Sequence, residues 1–218
     1  MIRLENLKKN YPDGRNTICA LDLQKAILEP GSRWALVGPS GSGKSTLLHC
    51  LAGLTPLSEG TIEIDGQLMN NKNPQELAKW RGKEVGYIFQ NLSLLPALSA
   101  EDNVFAGAFF AGCDKSSALQ KEVDRLFTSM GITDIQHKLP RQLSQGQQQR
   151  VAIARALIKK PKYILADEPT ASLDRETAKQ VMQLLLSYSQ EQGTTLLIST
   201  HDPAIQTQLD HELRLGAI

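Results

Sequence analysis

Cysteines are few in this chain, and neither sign of charge dominates it. Cys19, Cys50 and Cys113 are odd in number, widely spaced and without a C-x-x-C pair, so neither a disulfide framework nor a zinc site is expected. Lysine and arginine number 24 against 23 aspartates and glutamates, and this balance predicts no nucleic-acid partner. No apolar run is long enough to span a bilayer, and the N-terminus lacks the layout of a signal peptide. We therefore expect a chain that stays in the cytosol.

A phosphate-binding motif stands near the start of the chain. Residues 38–46 fit the pattern G-x-x-x-x-G-K-[ST] between a predicted buried strand at 34–37 and a predicted helix at 44–51. The glycines let successive backbone N–H groups turn inward at the positive end of that helix, where triphosphate oxygens fit. The predicted phosphate-binding residues are Gly38, Pro39, Ser40, Gly41, Ser42, Gly43, Lys44, Ser45 and Thr46.

Three side chains in or before this loop have specific expected tasks. Lys44 would reach the β- and γ-phosphates, and the Ser45 hydroxyl would bind the Mg²⁺ that bridges them. Upstream, Tyr11 lies between a predicted strand at 2–7 and a predicted turn at 12–14. Its ring could stack on a purine base or simply cover a strand end, and the residues alone leave both interpretations open.

The residues around the phosphate motif predict an additional β-layer. Short strands at 17–20 and 21–28 are expected to be antiparallel. Residues 60–66 alternate into an Asp-Gly turn, which indicates a hairpin. A short helix at 74–81 and a buried strand at 85–89 follow.

Polar side chains stand at the ends of three predicted buried strands, where open α/β sheets bind their ligands. Gln90 could coordinate Mg²⁺ and orient water through its amide, or only bond to its own loop. Asp167 could hold the Mg²⁺ shell, while Glu168 could polarise a water for in-line attack on a γ-phosphate. His201 could donate to a γ-phosphate oxygen, or be merely packed.

Residues 91–159 predict an inserted helical region, with helical apolar spacing at 100–112 and 116–130. Near its end Ser144 is a good N-cap, and its hydroxyl with the N–H groups that follow makes a second possible anion site. A plain capped amphipathic helix is the alternative. Asp174 is predicted to cap one further helix, at 175–192.

The ordered motifs resemble those of the ATPase subunit of an ATP-binding cassette (ABC) transporter over the full length of the chain. The resemblance implies an α/β P-loop NTPase, in which a RecA-like core carries an antiparallel β-subdomain and an inserted α-helical subdomain. We expect a single domain, with the core and β-subdomain at about 1–90 and 160–218 and the helical subdomain at about 91–159.

The resemblance also implies ATP and Mg²⁺ as cofactors and a head-to-tail dimer with two ATPs at its interface. One departure is Gln145, because the signature motif of the family usually reads L-S-G-G-Q; a side chain at this position could crowd the opposite nucleotide and lower turnover. The implied catalytic residues are Glu168 (general base), His201 (switch), Gln90 and Lys44. The implied metal ligands are Ser45, Gln90 and, through water, Asp167. The remaining implied nucleotide contacts are Tyr11 on adenine, Asp174, and Ser144, Gly146 and Gln147 from the second copy.

The sequence at 86–91, 94–96 and 103–104 is similar to that of the lipoprotein-release and macrolide-export branch of the family. This likeness implies an exporter or lipoprotein extractor that works with an integral-membrane permease, peripherally on the cytoplasmic face of the inner membrane. An importer ATPase shares every motif and remains the alternative. A soluble DNA-acting member is less expected, because residues 43–143 leave no room for a long coiled coil. After Gln90, leucines 92, 94, 95 and 98 exceed what a surface loop needs, and we expect about half of them to line a groove for a permease helix.

Overall fold

Two β-sheets organise residues 1–14 and 16–216, the part of the chain that the computed structural model describes. The strands are β1 (Ile2–Asp13), β2 (Asn16–Leu28), β3 (Arg33–Val37), β4 (Glu59–Ile64), β5 (Gln67–Leu68), β6 (Val85–Ile88), β7 (Tyr163–Asp167), β8 (Thr195–Ser199) and β9 (His211–Arg214). The α-helices are α1 (Lys44–Leu51), α2 (Pro74–Glu84), α3 (Ala100–Phe109), α4 (Ser117–Ser129), α5 (Gln145–Leu157), α6 (Arg175–Gln192) and α7 (Pro203–Gln206).

The larger sheet is parallel, with the strand order β6-β7-β8-β3-β9. Every residue of β6, β7 and β8 is buried, as expected for parallel strands that are covered on both faces. Because all five strands run the same way, their carboxyl ends meet at one edge of the sheet. The segments that carry Gln90, Glu168, His201 and the phosphate loop therefore all leave the sheet at that edge.

The smaller sheet is antiparallel, in the order β2-β1-β4-β5. We predicted two short strands at 17–20 and 21–28, and this is wrong, because β2 is one continuous strand. The pairing shifts where Lys9 faces Leu21 and Asn10 faces Cys19, so Ala20 is an extra residue on β2. A bulge of this kind bends a strand without ending it, so one bulged strand can resemble two short strands in the sequence.

The hairpin predicted at 60–66 is present, with Ile64 of β4 opposite Gln67 of β5. Asp65 and Gly66 in the turn have φ values of +51° and +77°, as a tight hairpin turn requires. The Asp65 carboxylate also accepts a hydrogen bond from the Tyr163 hydroxyl at 2.8 Å. This contact joins the antiparallel sheet to the first residue of β7.

Three helices, α3, α4 and α5, lie between β6 and β7 in the chain, as the predicted helical insertion requires. Each begins at a serine N-cap, Ser99, Ser116 or Ser144, whose hydroxyl accepts a backbone N–H of the first turn. Most buried apolar residues of α4 and α5, Phe127 and Val151 among them, belong to one core that also includes side chains of β6, β7 and α6. The bounds of the insertion, 91 and 159, stay a prediction.

Several predicted ends differ by a few residues from the observed ones. α2 continues to Glu84 instead of ending at 81, while α3 and α4 end at Phe109 and Ser129 instead of 112 and 130. Helix ends fray, and pattern alone does not fix them. Within residues 1–14 and 16–216, no helix is both long and apolar enough to cross a membrane.

Candidate active site

The phosphate loop closes around its own lysine. Lys44 begins α1, and its ammonium group donates to the carbonyl oxygens of Gly38 and Pro39, both at 2.9 Å. Only 6% of Lys44 is exposed. The positive charge is therefore held inside the loop, at the N-terminal end of a helix whose free N–H groups favour anions.

Close contact with β2 fixes the shape of the phosphate loop. A Cβ atom on Gly43 would lie 2.2 Å from the carbonyl oxygen of Ala20, so the loop is in tight contact with β2. The Ser42 hydroxyl is buried and has no hydrogen-bond partner within the described part of the chain. A ligand, an ion or a water can supply the hydrogen bond that such a buried hydroxyl needs. Together with Lys44 and the helix end, this hydroxyl fits the phosphate oxygens of a nucleotide.

Asp167, the last residue of β7, and Glu168, the residue after it, both bond to one serine. Asp167 is buried and accepts a hydrogen bond from the Ser199 hydroxyl at 2.6 Å, and the backbone N–H of Glu168 donates to the same hydroxyl at 2.9 Å. Glu168 has a φ of +45°, a conformation that non-glycine residues rarely adopt. Such strain is concentrated at functional sites. Ser199 was not predicted as a site residue, although a polar residue at the end of a buried strand is a signal that could have identified it.

Three strand ends meet at the Glu168 carboxylate. His201 Nε2 lies 2.8 Å from one carboxylate oxygen, and Gln90 Nε2 donates to the other at 3.4 Å. The Glu168 side chain is 19% exposed and that of His201 50%. A cleft of about 1100 Å³ between α6 and α7 includes both residues in its walls, so water reaches them. Of the predicted catalytic residues, the structure thus brings these three into contact.

The predicted metal ligands offer hard oxygen atoms. Asp167 supplies a carboxylate of which one oxygen accepts no hydrogen bond from the described residues. Ser45, in the first turn of α1, supplies a hydroxyl, and Gln90 supplies an amide oxygen. Hydroxyl, amide and carboxylate oxygens are the ligands that Mg²⁺ prefers. By the chemistry of their donor atoms, these three residues suit a magnesium ion.

The second anion site was predicted at the start of α5. Ser144 Oγ accepts the Gln147 backbone N–H at 3.3 Å, and Gln147 Oε1 accepts the Ser144 N–H at 3.0 Å. This reciprocal pair is a capping box. A Cβ on Gly146 would lie 2.9 Å from Thr177 Cγ2, so this helix start packs against α6. No hydrogen bond of the described residues joins 144–147 to the phosphate loop.

Two other predicted nucleotide contacts lie in β1 and at the start of α6. Tyr11 is in β1, is 39% exposed, and has the Lys9 ammonium 4.9 Å from its ring centroid. Asp174 is the N-cap of α6 and accepts the backbone N–H groups of Glu176 and Thr177. Hydrogen bonds from Thr177, in particular, hold the pKa of Asp174 below its ordinary value.

Comparison with known proteins places this arrangement in a family. The ABC transporter family model matches residues 22–171. The chain is 41% identical to the lipoprotein-releasing system ATP-binding protein LolD of Idiomarina loihiensis, over 96% of this chain and 91% of that protein. It is 39% identical to the macrolide export ATP-binding/permease protein MacB of Psychrobacter cryohalolentis, over 99% of this chain and 32% of MacB.

A solved structure of the same kind matches the whole fold. It is the dimeric post-hydrolysis state of the ATP-binding cassette MJ0796 bound to ADP and Pi, with a TM-score of 0.93 and 36% identity over 99% of this chain and 94% of that one. The match confirms the predicted P-loop NTPase fold with its antiparallel sheet and helical insertion. The chain belongs to the ABC transporter family and is an ATP-binding subunit of such a transporter.

Proposed function

We propose that this chain hydrolyses ATP with Mg²⁺ at the carboxylate edge of its parallel sheet and uses the energy to drive export or lipoprotein extraction. The observation that supports this most is the Glu168 carboxylate, which His201 contacts at 2.8 Å at the edge of the sheet where the phosphate loop also begins. In this proposal Glu168 is the general base, and Lys44 and the N–H groups at the start of α1 bind the phosphates.

The reaction is an in-line displacement at the γ-phosphorus. Glu168 accepts a hydrogen bond from a water and takes its proton as the new P–O bond forms, while the bond to the β–γ bridging oxygen breaks to leave ADP and phosphate. A bound Mg²⁺ would neutralise charge on the phosphate oxygens, held by Ser45, Gln90 and, through water, Asp167. His201 keeps the carboxylate in one orientation and could donate to the γ-phosphate.

The signature residues are proposed to act on the nucleotide of a second copy. Ser144 is exposed, and the N-terminal end of α5 offers free N–H groups but makes no hydrogen bond to the phosphate loop of its own chain. A head-to-tail dimer would bring Ser144, Gly146 and Gln147 onto the ATP bound by the partner, and MJ0796 forms a dimer. In the same arrangement Tyr11 would stack on adenine and Asp174 would lie at the interface.

The proposed membrane partner is an integral permease, which would hold this chain at the cytoplasmic face of the inner membrane. Support comes from MacB, a named ATP-binding/permease protein in which the match covers 32% of the length. Of the four loop leucines, Leu94 packs against the apolar core, whereas Leu95 is 41% exposed. Phe109 and Phe110, at the end of α3, are 73% and 72% exposed. Apolar side chains so exposed are typical of a binding surface.

Two variants test the chemistry. Glu168→Gln should abolish phosphate release while ATP binding persists, because the amide cannot take the proton of the water. Lys44→Ala should weaken ATP binding itself, because it removes the charge that faces the phosphates. Hydrolysis near the wild-type rate by purified Glu168→Gln would show that another residue is the base.

A double variant tests the docking surface. Phe109→Ser with Phe110→Ser should keep ATP binding but lose co-purification of a permease, identified by its sequence, from detergent-solubilised membranes. Ile18→Ser is the matched control, since Ile18 is 54% exposed but lies on the antiparallel sheet. Permease recovery that is equal for the double variant and the control would place the docking surface elsewhere.

A further inference from the structure

A partly buried arginine connects the segment after Gln90 with the helix that carries the signature residues. Arg155 is in the last turn of α5, the helix that begins at Ser144. Its guanidinium donates to the carbonyl oxygens of Ser93 at 2.6 Å and of Leu92 at 2.7 Å. These two carbonyls follow one another in the chain, and the planar fork of a guanidinium suits such a pair of acceptors.

The environment of Arg155 shows that these carbonyls are its main partners. Burial lowers the pKa of its guanidinium, and no carboxylate within residues 1–14 and 16–216 forms an ion pair with it. Removing a charged group from water without a counter-charge is costly unless hydrogen bonds compensate. The two carbonyls provide that compensation, so the segment is bound tightly to the end of α5.

Further contacts attach the rest of the loop to the same group of helices. Asn103 of α3 is fully buried and hydrogen-bonds Leu95 through both its amide oxygen, at 2.7 Å, and its amide nitrogen, at 3.1 Å. Gly107 brings α3 against α5 so closely that a Cβ there would lie 2.3 Å from the Arg155 carbonyl oxygen. The loop, α3 and α5 are therefore joined by backbone contact and by hydrogen bonds.

Only Asn91 separates Gln90 from the first residue that Arg155 holds. At its other end this short connection reaches the active site, because Gln90 touches the Glu168 carboxylate. From Arg155 to the signature residues, α5 is a continuous helix whose ten-residue separation corresponds to about 15 Å at 1.5 Å per residue. A movement of the Gln90 backbone thus has a direct mechanical route to the start of α5.

We propose that Arg155 is a positioning residue that makes the segment after Gln90 and the signature residues Ser144–Gln147 move as one unit. This inference rests on the proposed function, since ATP would displace Gln90 as it binds beside Glu168. Arg155 carries that displacement to the surface that meets the second copy, so ATP bound in one chain changes how that chain presents its signature to the other. Coupling between two sites requires a structural element that has two arrangements, and both sites must influence the equilibrium between them.

Hydrogen–deuterium exchange with and without Mg-ATP tests the connection in the Glu168→Gln protein, which should retain ATP. In this parent, ATP should slow exchange both at 91–95 and at 144–148. With Arg155→Ala or Arg155→Lys added, the response at 91–95 should persist and the response at 144–148 should be lost. ATP binding to the monomer should change less than twofold, while the ATP concentration for half-maximal dimerisation should rise about tenfold, within the range of known couplings between sites.

Arg150→Ala is the matched control. Arg150 lies on the same helix but donates to the Met130 carbonyl at 2.6 Å and to the Gln180 side chain, not to the Gln90 loop. It removes a comparable number of hydrogen bonds, and it should keep both ATP responses. Thermal unfolding of all variants would confirm that each is folded.

The outcomes separate this inference from the function on which it rests. A response at 144–148 that survives in Arg155→Ala, that is lost equally in Arg150→Ala, or that is missing from the parent would overturn the role of Arg155. If the parent stays monomeric but its signature segment responds to ATP only with Arg155 present, the dimer is wrong and the connection stands.

Discussion

Two glycines of the phosphate loop should respond very differently to the same substitution. Gly41 and Gly43 have φ values of +79° and +88°, so alanine at either position adopts an unfavourable conformation that costs about 1–2 kcal/mol. At Gly41 an added Cβ has no heavy atom of the described residues within 4 Å, its chain neighbours apart, whereas at Gly43 it would lie 2.2 Å from the Ala20 carbonyl oxygen. Relieving that overlap requires the loop to move away from β2 and adds about 1–3 kcal/mol.

Thermal unfolding of the nucleotide-free protein measures the difference. For a chain of this length each 1 kcal/mol lowers Tm by about 2–4 °C. We therefore expect Gly41→Ala to lower Tm by about 4 °C and Gly43→Ala by about 10 °C, with the additional loss coming from the overlap. Equal losses for the two variants, or a larger loss for Gly41→Ala, would refute the close contact between the loop and β2.

Two further substitutions probe buried polar groups. Asn103→Leu should lower the free energy of unfolding by about 3 kcal/mol, because it leaves the Leu95 N–H and the Leu98 carbonyl without the Asn103 amide that bonds them. A chemical denaturation curve as stable as wild type would contradict this. Lys159→Met tests a shifted pKa. Burial, together with repulsion from Arg81, lowers the pKa of Lys159 to about 8. Between about pH 8 and 10.5 the unfolded chain therefore binds more protons than the folded one. The free energy of unfolding of the wild type should therefore rise across that range by about 2 kcal/mol relative to that of the methionine variant, after allowance for partial exposure. A difference in free energy between the two proteins that does not change with pH would contradict the assignment.

The sequence predicted the features that depend on local chemistry. Short-range patterns predicted these elements and their ends. The patterns are the glycines and lysine of 38–46, the serine cap of α5, and the polar residues after β6, β7 and β8. Parallel strands then bring those ends to one edge, so the contact between Glu168 and His201 followed from the fold class.

Contacts between distant segments could not be predicted in this way. Arg155 binds carbonyls 62 and 63 residues earlier in the chain, and backbone carbonyls leave no trace in a pattern of side chains. Strand β9 was missed because, of its four residues, only Leu213 is buried, so its apolar signal is weak at this edge of the sheet. Tight packing of glycines such as Gly107 against a neighbouring backbone is likewise a tertiary property.

The most direct test of the account asks whether one active site is built from two chains. Lys44→Ala should be inactive because its phosphate loop cannot hold ATP, and Ser144→Arg should be inactive because its signature cannot approach the partner's ATP. In a mixture, the intact phosphate loop of the second variant meets the intact signature of the first, so one complete site forms in each mixed dimer. The account predicts that phosphate release reappears on mixing, well above that of either variant alone. A mixture as inactive as its two components would contradict it.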